Sequence, residues 1–182
     1  MSSRHALCLL VLCTSFAGCT RSLDERKVRD FVDRADATAR TLYAPHICEL
    51  RGENFRLHLR FQGYLERLPP SDLEIGRKTF CLEAAKNAWL RQYKLERKSL
   101  DIELAADRRT ARVTAEYEET LPYFEPDMRP ASPFDFQKFQ VLTTRDDSVV
   151  GIEGGDLVFL RTDADVVQKL VPKQQLDVPV VN

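Results

Sequence analysis

The chain is poor in the residues that usually announce chemistry. Its 182 residues include only three histidines, five cysteines, one tryptophan and seven glycines. No GxSxG, HExxH, P-loop or GxGxxG motif occurs. The glycine-bearing GIEGGD at 151–156 lacks the lysine and the strand-to-helix setting that a phosphate loop requires. No cysteines or histidines stand at zinc-ligand spacing, so neither a metal nor a cofactor is expected. The one continuous apolar run, Ala6 to Cys13, is far short of the roughly 20 residues that a membrane-spanning helix needs. An excess of one charge is missing too. The chain has 27 Lys and Arg against 28 Asp and Glu, which speaks against the net basic profile of a nucleic-acid-binding domain. Repeats and low-complexity tracts are also absent.

What is present begins with an address. Arg4 and His5 lead into the apolar run, and Thr14 and Ser15 break it before the small pair Ala17-Gly18. This is the basic, apolar, small-residue order of a secretory signal. An ordinary signal peptidase could cut after Ser15-Phe16-Ala17. Phe16-Ala17-Gly18-Cys19, however, resembles the lipobox of bacterial lipoproteins, although Phe16 stands where leucine is usual. The resemblance implies that residues 1–18 are removed and that Cys19 carries a lipid, with residues 19–22 as anchor and linker. Cysteine arithmetic agrees. Cys8 and Cys13 leave with the signal, and lipid on Cys19 leaves only Cys48 and Cys81 to meet an oxidising compartment. Thr20 is not the aspartate that marks inner-membrane retention in such lipoproteins. The expected location is therefore the cell envelope, on the periplasmic face of the outer membrane.

The remainder is long enough for one domain with a core, placed at 23–167, with an extended tail at 168–182. Val28, Phe31, Val32, Ala35, Ala39 and Leu42 form one stripe of a helix over 23–43, which Pro45 closes. Ser71-Asp72-Leu73-Glu74 after Pro69-Pro70 reads as a capping box opening a second helix that runs to about Gln92. Residues 53–62 alternate as a strand with Phe55, Leu57, Leu59 and Phe61 on one face. Leu100 to Leu104 and Ala111 to Tyr117 alternate about a polar turn and predict an antiparallel hairpin. Phe136–Thr144 and Ser148–Glu153 predict another about a turn at Asp146-Asp147, and Leu157–Arg161 a further strand. Helix, strand, helix and then a meander predict an α+β domain with helices on one face of a curved antiparallel sheet. In element order, and in DATARTLYAPHI and EIGRKTF, the chain resembles the nuclear transport factor 2-like superfamily, with its SnoaL-like cone. A cystatin-like domain is the nearest competing fold.

Candidate residues are few. Cys48 and Cys81 predict a structural disulfide rather than a redox or metal site. His46, in a turn, and His58, opposite the apolar face of its strand, have no carboxylate or second histidine at ligand spacing. Asp163 and Asp165 could flank a cation but read as exposed acids beyond the last strand. Arg108, Arg109 and Arg112 read as solvated charge. The proline-aromatic stretch LPYFEPDMRPASPFDF at 121–136 reads either as a cover for the open end of the sheet or as a partner-binding surface carried by Tyr123, Phe124 and Phe134.

With no acid–base pair evident, the favoured function is a non-catalytic binding module, held at the membrane by lipid, for a protein partner or a small apolar ligand. The alternatives are a periplasmic inhibitor or immunity protein against a toxin, and an isomerase- or cyclase-like enzyme of the same fold. Fold alone does not decide among them. A cavity holding a buried carboxylate with a shifted pKa is the feature that would favour the enzyme.

Overall fold

The computed structural model describes residues 22–62, 71–86, 93–123, 138–173 and 176. Three helices and six strands occur among them: α1 (Glu25–Thr41), α2 (Ala44–Glu49), β1 (Arg51–Gln62), β2 (Ser71–Gly76), α3 (Arg77–Lys86), β3 (Lys94–Leu104), β4 (Thr110–Pro122), β5 (Lys138–Glu153) and β6 (Asp156–Pro172).

The predicted first helix forms as α1. Asp24 caps it by accepting a hydrogen bond from the Lys27 N–H at 2.8 Å, and Leu42 ends it in a left-handed conformation. Its apolar stripe is buried at Val28, Phe31, Val32 and Ala35, while Asp30, Asp33 and Arg34 remain on the wet side. That stripe packs on the concave face of one six-stranded sheet of order β2-β1-β6-β5-β4-β3. Phe31 lies 4.9 Å from Phe159 between ring centroids, and Leu23, Phe55, Ala111, Val113 and Val150 complete the centre of the core.

The sheet is mixed rather than purely antiparallel, because β1 runs parallel to β6. The other four neighbouring pairs are antiparallel, including the expected β3–β4 hairpin, which turns at Arg108 with φ of 54°. Gly154 and Gly155, both at positive φ, make the tight β5–β6 turn, where a side chain would strain the backbone.

Several sequence expectations are corrected. Residues 71–76 form strand β2 against β1, not a helix start, and the helix begins only at Arg77. The apparent capping box competes with a β1 edge whose backbone groups need partners, and the edge prevails. Residues 87–92, the expected end of that helix, lie outside the described residues. Asp146-Asp147 is not a turn, since β5 passes straight through it. Asp163 and Asp165 lie inside β6, not beyond it. Their side chains pair with His58 and Arg161 (Asp163) and with Arg60 (Asp165). Such a row of outward ion pairs is a ladder between strands. β6 also continues to Pro172 opposite Lys138, where the sequence reads as a tail.

The Cys48–Cys81 disulfide is present, with Cα atoms 5.6 Å apart, and ties α2 to α3. Arg77 adds to that joint by donating hydrogen bonds to the carbonyls of Arg51 (3.0 Å) and Cys48 (3.2 Å).

Candidate functional site

The sheet curls around a cavity of about 300 Å³, which α1 and α3 help to line. Strand register explains why space is left there. On β5, Asp146 stands between Ala115 of β4 and Ala164 of β6. Two residues away on either side, Thr144 and Ser148 also face inward, and Ser148 shares a 2.8 Å hydroxyl hydrogen bond with Thr162. Small side chains at the middle of a concave face leave a hollow that larger ones would fill. The walls are apolar: Leu57, Leu59 and Phe61 from β1, Leu142 from β5, Val166 from β6 and Phe80 from α3.

Three carboxyl groups line this hollow. Asp36, from α1, accepts hydrogen bonds from Arg97 Nη1 (2.7 Å) and from the Tyr117 hydroxyl (3.1 Å). Burial raises its pKa, and the Arg97 charge opposes that rise. Glu119 accepts from the Tyr93 hydroxyl at 2.9 Å and is likewise raised by burial. Both tyrosines are pushed up, chiefly by burial and then by the carboxylate each one faces.

Asp146 differs from the other two. Its Oδ1 is sealed from solvent and has no hydrogen-bond partner, while the residue keeps some surface on the cavity. Burial, and then the charge of Glu119, push its pKa up to about 7, against the pull of Arg51. A carboxyl so placed is divided between acid and base near neutrality, which suits proton transfer.

Arg51 is the cation of the site. Its guanidinium lies 4.5 Å from the ring centroid of Phe159, 4.9 Å from that of Phe80 and 5.3 Å from that of Phe55. Nε and Nη1 are buried without a hydrogen-bond partner, and burial lowers its pKa to about 10.

The residues singled out from sequence lie elsewhere. His58 sits on the outer face between Asp72 and Asp163, and the hydrogen bond with Asp72 raises its pKa. His46 is exposed on α2, edge-on to Tyr43 at 4.6 Å. Arg112 pairs with Asp147 on the outer face. Tyr123 follows β4 and donates its N–H to the Lys138 carbonyl at 3.0 Å. Phe124, Phe134 and Cys19 lie outside the described residues, so the proposed partner surface and the lipid site have no counterpart there. No group of three or more potential metal ligands gathers among the described residues.

Sequence reasoning missed this site, because the inward positions Thr144, Asp146 and Ser148 are polar and interrupt the apolar alternation from Leu142 to Val150; the one local hint lies in what the stretch lacks. No glycine or proline stands between Pro133 and Gly151 to support a turn.

No family model and no curated protein matches the chain. Solved structures do resemble it. A candidate scytalone dehydratase from Novosphingobium aromaticivorans superposes with a TM-score of 0.56 at 12% identity, over 86% of this chain and 93% of that one. A candidate aromatic ring hydroxylase from the same organism gives 0.54 at 11%, over 80% and 90%. A nuclear transport factor 2-like protein with a cystatin-like fold, also from that organism, gives 0.51 at 11%, over 79% and 81%. Proteins named as enzymes and proteins named only by their fold thus share this frame. The architecture of the chain is the α+β cone of nuclear transport factor 2-like, cystatin-like proteins.

Proposed function

We propose that the cone is a small-molecule site in which Asp146 accepts and returns a proton. A single observation carries the reading: a carboxyl with an unpartnered, solvent-sealed oxygen lines a cavity with apolar side chains around much of its wall. Such a group is costly to a fold that has no use for it. The sequence alone favours a non-catalytic binder, and ligand binding is retained here. Catalysis is added because the cavity holds the buried, shifted carboxyl that distinguishes the two.

The size and lining of the cavity favour a compact, largely apolar molecule with one or two polar groups. Leu57, Leu59 and Val166 exclude water around it, and Asp146 takes a proton from an acidified C–H or O–H of the bound molecule. The reaction class is isomerisation or elimination by proton transfer. One neighbour of the same fold, named as a dehydratase, is compatible with elimination, though at its low identity it speaks for the fold alone. Lipid on Cys19 would hold this domain at the envelope, where the Cys48–Cys81 disulfide would remain oxidised.

The test is deuterium uptake beside the carbonyl of compact cyclic ketones, such as cyclohexanone and 2-tetralone, followed by NMR in D2O. The wild type is expected to exchange at least one of them above the buffer rate, and Asp146→Asn to lose that excess by about 100-fold or more. Equal exchange by the two folded proteins would refute the role of Asp146.

A further inference from the structure

The ligand class can be narrowed by the arginine that shares the cavity. Arg51 lines it, yet none of the described acids forms an ion pair with the guanidinium, and two of its nitrogens have no hydrogen-bond partner. Three aromatic rings surround it, each in cation–π contact with the guanidinium. Burying an ion costs more than such contacts return, so the rings offset the desolvation only in part. The nearby acids do not supply the missing anion cleanly. Glu119 is engaged with Tyr93, Asp36 is engaged with Arg97 and Tyr117, and Asp146 makes no ion pair with Arg51. The cavity therefore holds a cation with no ion-pair partner among the described residues, opposed by the longer-range charge of Asp146, together with an unpartnered carboxyl oxygen.

We infer that the cone selects a small cyclic or aromatic carboxylate, whose anionic group sits against the Arg51 guanidinium while its apolar body lies along Leu57, Leu59 and Phe61. The carboxylate supplies the charge that Arg51 lacks, and a planar guanidinium matches it in shape. Neutralised in this way, it leaves Asp146 free to act on the rest of the ligand. The inference rests on the cavity being a ligand site, as proposed above, but not on Asp146 being a base.

The experiment compares benzoate and cyclohexanecarboxylate with benzamide and benzyl alcohol, using NMR titration of the intact oxidised domain. At least one carboxylate is expected to bind about ten-fold or more tightly than its neutral counterpart. Arg51→Met should remove that preference and leave the melting temperature equal or higher, because an apolar side chain replaces an unpaired buried charge. Neutral probes binding as well as carboxylates to the wild type would overturn the inference. So would Arg51→Met keeping the preference. Should Arg51→Met fail to fold, Arg51→Lys takes its place, with the carboxylate preference expected to shrink but persist; a preference unchanged in Arg51→Lys would also overturn it. Deuterium exchange separates the two ideas. Carboxylate selection without Asp146-dependent exchange sinks the proton-transfer reading alone, and exchange without carboxylate selection sinks the inference alone.

Discussion

Replacing Asp146 with asparagine removes a buried carboxyl whose Oδ1 has no hydrogen-bond partner, so its effect on stability must depend on pH with a defined sign. In the folded protein the pKa rises from the ordinary 3.8 to about 7. A group whose pKa is raised on folding binds its proton more tightly in the native state. Stability is therefore highest below the unfolded value and falls as pH climbs from about 4 to about 7. At roughly 1.4 kcal/mol per pH unit, the carboxyl costs the wild type about 4 kcal/mol above pH 7 relative to pH 4. Asparagine has nearly the same shape and no charge. Asp146→Asn should match the wild type to within about 1 kcal/mol at pH 4 and exceed it by about 3 to 4 kcal/mol at pH 8. Glu119 and Asp36 titrate in both proteins and largely cancel in the difference. Urea unfolding followed by circular dichroism from pH 4 to 8, with the disulfide kept oxidised, reads it directly. Two curves running parallel across this range would refute the reasoning. So would a variant less stable at pH 8, which would mean that Asp146 is held as a stabilising anion.

Three further outcomes follow from other parts of the molecule. Replacing Cys48 and Cys81 with serine should cost about 3 to 4 kcal/mol of unfolding free energy, the loop-closure contribution of a 33-residue separation. Loss of less than about 1 kcal/mol by urea titration would contradict it. Ala115→Leu points into the hollow beside Asp146, so it should cost no more than about 1 to 3 kcal/mol of stability while abolishing binding of the carboxylate probes. Cys19→Ala should end the uptake of labelled palmitate and leave a misprocessed precursor, and unchanged labelling would remove the lipid anchor from the account.

The sequence makes the frame legible and hides the site, for physical reasons. The α1 stripe and the alternation of Phe55, Leu57, Leu59 and Phe61 are local signals; Val28, Phe31, Val32, Ala35, Phe55 and Leu57 are buried, and Leu59 and Phe61 partly so. The Cys48–Cys81 pairing is expected from counting thiols once the proposed signal and lipid site are set aside. Asp146 is different, because two adjacent acids ordinarily mark a turn. Only long-range register shows otherwise: Ala115 and Ala164 arrive from two other strands and make room for a carboxyl on the concave face. The same limitation hides the parallel β1–β6 pairing and β2, whose strand form depends on an edge that local sequence does not display. Arg51 reads as one cation among many, and its isolation emerges only when Phe55, Phe80 and Phe159 close around it.

The most direct measurement of the central claim is the pH profile of ketone deuterium exchange by the wild type between pH 5 and 9, on whichever ketone exchanges fastest. If Asp146 is the base, the catalysed rate rises with pH as its carboxyl ionises and levels off above a midpoint near 7, and Asp146→Asn shows no such rise. A midpoint near 4, the ordinary carboxyl value, or a profile shared by wild type and variant, would contradict the account.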